Sequence, residues 1–196
     1  LINNQLAPWR SPLSRALHLN RSQPYSRYLQ LATIAIDGRP ANRTVVFRGF
    51  LENTNQLQIV TDSRSEKIAQ IERQPWTEAC WYFTKTREQF RLLGKLSVVG
   101  VDDSDESLQK ARRLVWQSLS DGARSQFAWP APGQLRDESS AFSNSPLSSS
   151  EPLANFCLLL LDSKRVEHLE LRGEPQNRWR YSFDELQGWL VEQINP

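Results

Sequence analysis

The sequence predicts a mainly β protein, a small antiparallel β-barrel with helices on its outside. Three observations carry that prediction. From Tyr28 onward, strand-like runs follow one another quickly, separated by turn residues such as Asp37-Gly38 and Asn53-Thr54-Asn55. Stretches of helical period are inserted among runs of strands and do not alternate regularly with them, which argues against a parallel α/β sheet. The longest apolar run, Phe156 to Leu161, has the length of a buried strand and falls far short of a membrane span. A chain of 196 residues suits one domain over 1–196 with a real core.

In chain order, a short helix is expected over Ser11 to Asn20. The strand Tyr28 to Ile36 follows, and its apolar positions change phase between Leu31 and Ile34, which predicts a β-bulge. Next come a strand over Asn42 to Leu51, a turn at Asn53 to Asn55 and a strand over Leu57 to Thr61. A helix over Arg64 to Arg73 places Ile68 and Ile71 on one face, with Pro75 just past its end. Ser63 followed three residues later by Glu66 forms a capping box at its start. Trp76 to Thr84 and Gln89 to Val101 make a long hairpin around Lys85-Thr86-Arg87. The stripe Leu108, Ala111, Val115 and Leu119 marks a helix over Asp103 to Leu119 that packs on the core. The Pro-, Ser- and Gly-rich stretch 129–152 reads as a loop or lid within the domain. Strands over Asn155 to Leu161, Arg165 to Arg172 and Arg178 to Ser182 follow. A helical turn at Phe183 to Gln187 and a last strand ending at Asn195-Pro196 close the chain.

Composition excludes several functional classes. With 39% hydrophobic and 23% charged residues, the chain is that of a soluble globular protein. A net charge of +2 is too small to point to nucleic acid or an anionic membrane. The N-terminal residues carry no charged-then-apolar secretory pattern. Cys80 and Cys157 each lie within an apolar strand-like run, which suits a reducing, cytoplasmic setting. His18 and His168 are far apart, so no His-rich metal centre is expected and each reads as a surface or satisfied structural residue. The side chains offer little chemistry of their own, so an enzyme built this way would rely on a cofactor.

Three polar segments carry the chemistry. Thr61-Asp62-Ser63-Arg64-Ser65-Glu66-Lys67 spans a strand-to-helix junction. A helix N-terminus exposes unpaired N–H groups and partial positive charge. With Arg64, Ser65 and Lys67 beside it, that junction makes a phosphate cradle; the simpler reading is an ordinary helix cap. Arg43 and Arg48 lie on an otherwise apolar strand, five residues apart and therefore on opposite faces if the strand is regular. Gln89 opens the strand Phe90 to Lys95, and its amide can pair with both the donor and the acceptor edge of a heterocycle.

Arg43-(four residues)-Arg48, Thr61 to Lys67 and Glu88 to Lys95, in this order, resemble the pyridoxamine 5′-phosphate oxidase superfamily. The strings ANRTVVFRGF, TDSRSEK and Phe127 to Gly133 are similar to its subgroup of related FMN-binding proteins, and the likeness runs over residues 7 to 196. The resemblance implies a split β-barrel that dimerises and holds FMN in two symmetric interface clefts. It would place Arg43 and Arg48 against the flavin and phosphate, and the backbone of Thr44 and Val45 against the ring. Thr61 would lie by the isoalloxazine, and Arg64, Ser65 and Lys67 would hold the phosphate. Gln89 and Arg178 would complete the site, partly from the partner chain.

The chain also departs from that pattern. Glu66 stands where the family has Arg, and Leu169 where it has Trp. Glu174-Pro175-Gln176-Asn177 supplies neither of the substrate-gripping Arg and His, and Trp116, Ser120, Arg124 and Ser125 replace the usual clamp. The expected function is a cytoplasmic FMN-dependent oxidoreductase acting on an unidentified small molecule, with Arg124 and Arg91 the nearest acid or base candidates. The alternatives are a non-catalytic FMN-binding or sensing module and a true pyridoxamine or pyridoxine 5′-phosphate oxidase. No metal, nucleic acid or membrane partner is expected.

Overall fold

The computed structural model describes residues 6–142 and 147–196, so residues 143–146 of the stretch 129–152 lie outside the described part. Its strands are β1 (Tyr28–Ile34), β2 (Pro40–Val46), β3 (Gly49–Phe50), β4 (Leu57–Asp62), β5 (Trp76–Phe83), β6 (Glu88–Val99), β7 (Phe156–Glu170), β8 (Asn177–Asp184) and β9 (Gly188–Ile194). The helices are α1 (Arg10–Asn20), α2 (Glu66–Arg73), α3 (Glu106–Ser118) and the short α4 (Asp121–Ser125). The strands form one antiparallel sheet in the order β2-β1-β5-β6-β7-β4-β3, with β8 and β9 branching from β7. Strands β2 and β3 stand at the two ends of that order, yet only Phe47 and Arg48 separate them in the chain. The sheet therefore has to curl back on itself, and Arg48 N–H donates to Gln58 O across the closure at 2.8 Å.

Strand β7 divides the barrel. Its first half, Cys157 to Leu161, lies between β4 and β6; its second half, Arg165 to Glu170, lies between β6 and β8. Being covered on both faces, Phe156 to Leu161 has no polar alternation. Leu159 and Leu161 pack into the barrel with Trp81, Phe90 and Leu57, while Phe156, Leu158 and Leu160 face α3. The predicted stripe on α3 is core, with Ala111, Val115 and Leu119 buried there.

Several expectations are corrected. β1 pairs with β2 in unbroken register and carries no bulge. The apparent phase change arises because buried Thr33, not exposed Ile34, continues the inward alternation. The expected strand over Asn42 to Leu51 breaks at Phe47-Arg48, where the chain leaves one edge of the sheet for the other. The two strands expected on either side of Asp162 are one, and β6 accommodates the extra residue by a register shift between Leu93 and Gly94. Phe183 to Gln187 is no helix: Asp184 accepts from the N–H groups of Leu186 and Gln187 in the β8–β9 turn. Helix α2 is capped at Ser65, not Ser63, and no capping box forms.

A buried ionic cluster ties α1 to the sheet. Glu88 lies 2.8 Å from His168 Nε2 and accepts from Arg15 at 3.0 Å, and His168 stacks on Phe90 with ring centroids 4.1 Å apart. Burial disfavours the Glu88 carboxylate, but its bonds to His168 and Thr86 and the charge of Arg15 outweigh that and hold its pKa below the ordinary 4.5. A depressed carboxylate contributes stability above its unfolded pKa, and that contribution is lost as pH falls through the folded value. Denaturant titrations between roughly pH 5 and pH 3 should therefore show a steeper loss of stability for the native chain than for Glu88→Gln.

Candidate functional site

The site is built at the junction of β4 and α2. Thr61 is buried near the end of β4, Ser65 stands at the N-cap position of α2 without a side-chain capping bond, and Lys67 lies on the first turn. Lys67 Nζ donates to Thr61 Oγ1 at 2.9 Å and to Ser65 Oγ at 2.7 Å. Arg43 approaches from β2, donating to Leu31 O at 3.2 Å, Thr33 Oγ1 at 2.6 Å and Gln70 Oε1 at 3.1 Å. Buried Thr33 also donates to buried Gln70, so β1, β2 and α2 are tied into one polar knot that fixes the guanidinium. All acceptors of Lys67 and Arg43 are neutral oxygens. Burial, and then the charge of Arg43, push the Lys67 ammonium below its ordinary pKa, with Asp62 opposing. Two half-buried cations whose hydrogen bonds all go to neutral oxygens, one of them on the first turn of a helix, favour a bound anion.

A cleft of about 500 Å³ opens over this cradle. Thr61, Asp62, Ser65 and Lys67 form one wall, and the chain from Gln126 to Asp137, with Phe142, forms the other. Phe127 anchors the start of that second wall by edge-on packing against Trp116 and Phe156. Gly133, at φ 81°, comes over the first turn of α2, where a Cβ would lie 3.7 Å from Glu66 Oε1.

The structure does not bring all the expected site residues together within one chain. Arg64 is paired with Asp62 and does not itself line the cleft. Arg48 lines a separate cleft with Lys110 on α3. Its Nε is buried without a hydrogen bond; burial, and then neighbouring Arg27, lower its pKa. Gln89 and Arg178 lie on the outer face of the sheet, in register across β6, β7 and β8 through Leu169. On β2, Thr44 is exposed and Val45 is buried in the barrel. Beside Arg178, Glu167 is ringed by Arg178 at 2.5 Å, Arg180 at 3.5 Å, Arg91 at 3.6 Å and Arg165 at 4.0 Å. Burial disfavours the Glu167 carboxylate, but Arg178, and then Arg91 and Arg165, hold its pKa down.

The acid or base candidates are both held in ion pairs. Arg124 is buried and donates to Leu119 O, closing the end of α3, and it pairs with Asp121. Arg91 is bound to Glu78 at 2.5 Å. Trp116 is core and Ser120 caps α4. His18 is exposed next to Arg21, and His168 is the stacked partner of Glu88. Sequence reasoning missed Asp62, Asn155 and Glu167. Asp62 stood inside the quoted motif, whereas nothing local marks Asn155, 93 positions away from its partner.

A curled antiparallel barrel with a cationic cradle at a strand-to-helix junction belongs to a class of cofactor-binding barrels that comparison with known proteins defines. The family model "Pyridoxamine 5′-phosphate oxidase, FMN-binding domain" matches residues 6–100. A relative from Arabidopsis thaliana, pyridoxine/pyridoxamine 5′-phosphate oxidase 2, is 37% identical over 202 residues, covering 100% of both chains. The chain belongs to the pyridoxamine 5′-phosphate oxidase family, and its cofactor is FMN. The crystal structure of a pyridoxamine 5′-phosphate oxidase-related, FMN-binding protein of Nostoc punctiforme superposes with a TM-score of 0.94 at 61% identity, covering 98% of this chain and all of that one. PhzG of Burkholderia lata, crystallised with tetrahydrophenazine-1-carboxylic acid, shares the fold at a TM-score of 0.78 and 18% identity over 97% of this chain and 93% of its own. Among the described residues no helix is long and apolar enough to cross a membrane.

Proposed function

We propose that this chain, acting as one domain over 1–196, is an FMN-dependent oxidoreductase for a small molecule and that it works as a homodimer in the cytoplasm. The observation that carries the reading is the Lys67–Arg43 pair, two cations whose hydrogen bonds all go to neutral oxygens, with Lys67 on the first turn of α2. Lys67, Ser65 and Thr61 would hold the phosphate end of FMN, with Arg43 raising the local potential. When bound, the flavin supplies hydride or electron exchange. The chain binds and orients it, and the 126–137 segment excludes water. Gln89, Thr44 and Arg178 lie on the outer sheet face and would reach a flavin held by the partner's cradle.

Tyr28, Trp76 and Tyr82 are 41–47% exposed on that same face. An apolar, aromatic patch of this kind is what a dimer would cover. Tyr82→Glu should turn a dimer of 22.6 kDa chains into monomers on sedimentation and weaken FMN retention. A native chain that is monomeric at micromolar concentration removes the dimer.

Turnover is tested with the holoprotein under aerobic conditions, following flavin bleaching and reoxidation while oxidisable amines, alcohols and reduced nicotinamides are supplied. The full-length likeness to the Arabidopsis oxidase favours one further reading, with pyridoxamine or pyridoxine 5′-phosphate as the substrate. Formation of pyridoxal 5′-phosphate at catalytic rates would establish it. A flavin that no donor reduces would leave a binding module.

A further inference from the structure

We propose that Arg64 is not a ligand of the cofactor phosphate but a positioning residue, joining Asp62 and Asn155 in a staple that holds the 126–137 wall over the cradle. The inference rests on the reading of the Lys67 cradle as the FMN phosphate site. The Arg64 side chain is committed elsewhere. Its Nε donates to Asp62 Oδ1 at 2.9 Å, and one terminal nitrogen donates to Asp62 Oδ2 at 2.6 Å. The same nitrogen reaches the carbonyls of Trp129 at 3.0 Å and Phe127 at 3.3 Å. From the other side, Asn155 Nδ2 donates to Asp62 Oδ2 at 2.7 Å and to Phe127 O at 2.8 Å. The backbone joins in, since Ser63 N–H donates to Asn155 O at 2.8 Å.

Two side chains from distant parts of the sequence thus converge on one carbonyl at the root of the wall, with Asp62 orienting both. Charge gives the arrangement a second purpose. Asp62 lines the same cleft as Lys67, and a bare carboxylate there would repel a phosphate dianion. Fork-like pairing with Arg64 neutralises it where a single point charge would leave one oxygen free. Sequence position alone puts Arg64 among phosphate ligands; the geometry gives its charge to Asp62.

The test compares FMN with riboflavin, which lacks the phosphate. Lys67→Ala should reduce the FMN-over-riboflavin preference by about 100-fold, the loss of one charge-assisted contact. The double variant Asp62→Asn/Arg64→Gln removes the staple with no change in net charge. It should leave that preference within about 3-fold while releasing both flavins roughly 10-fold or more faster. Limited trypsin cleavage after exposed Arg136 should also accelerate in it. Asn155→Ala, a smaller lesion, should move both readouts the same way and serves where the double variant fails to fold. If the staple variants lose the preference as Lys67→Ala does, Arg64 is a phosphate ligand and the proposal is overturned. Unchanged release and cleavage in them overturn it equally. If Lys67→Ala itself leaves the preference intact, the cradle reading fails, and this proposal goes with it.

Discussion

Lys67→Ala is expected to lower FMN affinity by about 100-fold while the protein stays folded. The magnitude follows from what Lys67 now touches. Two hydroxyls, Thr61 Oγ1 and Ser65 Oγ, hold an ammonium that burial and Arg43 have already weakened. Removing it leaves no buried charge unpaired, so the fold loses little, and the whole effect appears when the phosphate arrives. Arg43→Ala should behave differently. It strips the donor from the Thr33–Gln70 knot as well as a cation, so both thermal stability and FMN affinity should fall. Isothermal titration and melting of the two variants side by side would check this. The pH profile follows by sign: burial and Arg43 lower the Lys67 pKa, so as pH rises the ammonium is lost, and FMN affinity should start to fall before pH reaches the ordinary 10.5.

Gly94→Ala is expected to be the most destabilising single change among the glycines. An added Cβ at Gly94 would lie 2.1 Å from Asp162 O and 2.7 Å from Ser163 Cα. Both are backbone atoms of β7 at the register shift, so no side chain can move aside. Overpacking of this kind costs about 3 kcal/mol, equivalent to a melting temperature lower by roughly 6–12 °C in a domain of this size. Thermal unfolding of the purified variant measures it. Gly100→Ala, where nothing lies within 4 Å, is the matched control and should leave stability within about 0.5 kcal/mol.

Most of the barrel was legible because its signals are local. The turns at Gly38 and Asn53, the apolar stripe of α3 and the unbroken apolar run of β7 each report their own environment. The larger errors share one physical origin, long-range pairing. The chain breaks at Phe47-Arg48 because β2 and β3 serve opposite ends of the sheet, which no window of sequence reveals. Thr33 was misread because a buried hydroxyl looks polar until Gln70 and Arg43 are seen to satisfy it. The site divides the same way. Thr61, Ser65 and Lys67, which line one cleft, could be grouped from the sequence because they are neighbours in the chain. The pairing of Arg64 with Asp62 is not visible in the sequence, and Asn155 carried no signal at all.

Strand β7 has a consequence for how such a site could be inherited. Residues 6–100 carry the recognisable family stretch, including the whole β4–α2 junction. Yet β4 is joined to β6 only through β7, and its other neighbour, β3, is two residues long. The stretch that spells out the cofactor cradle is therefore not a transplantable cassette. Its architecture is completed by a strand that begins more than fifty residues later, so the motif and its scaffold have to travel through evolution as a single unit.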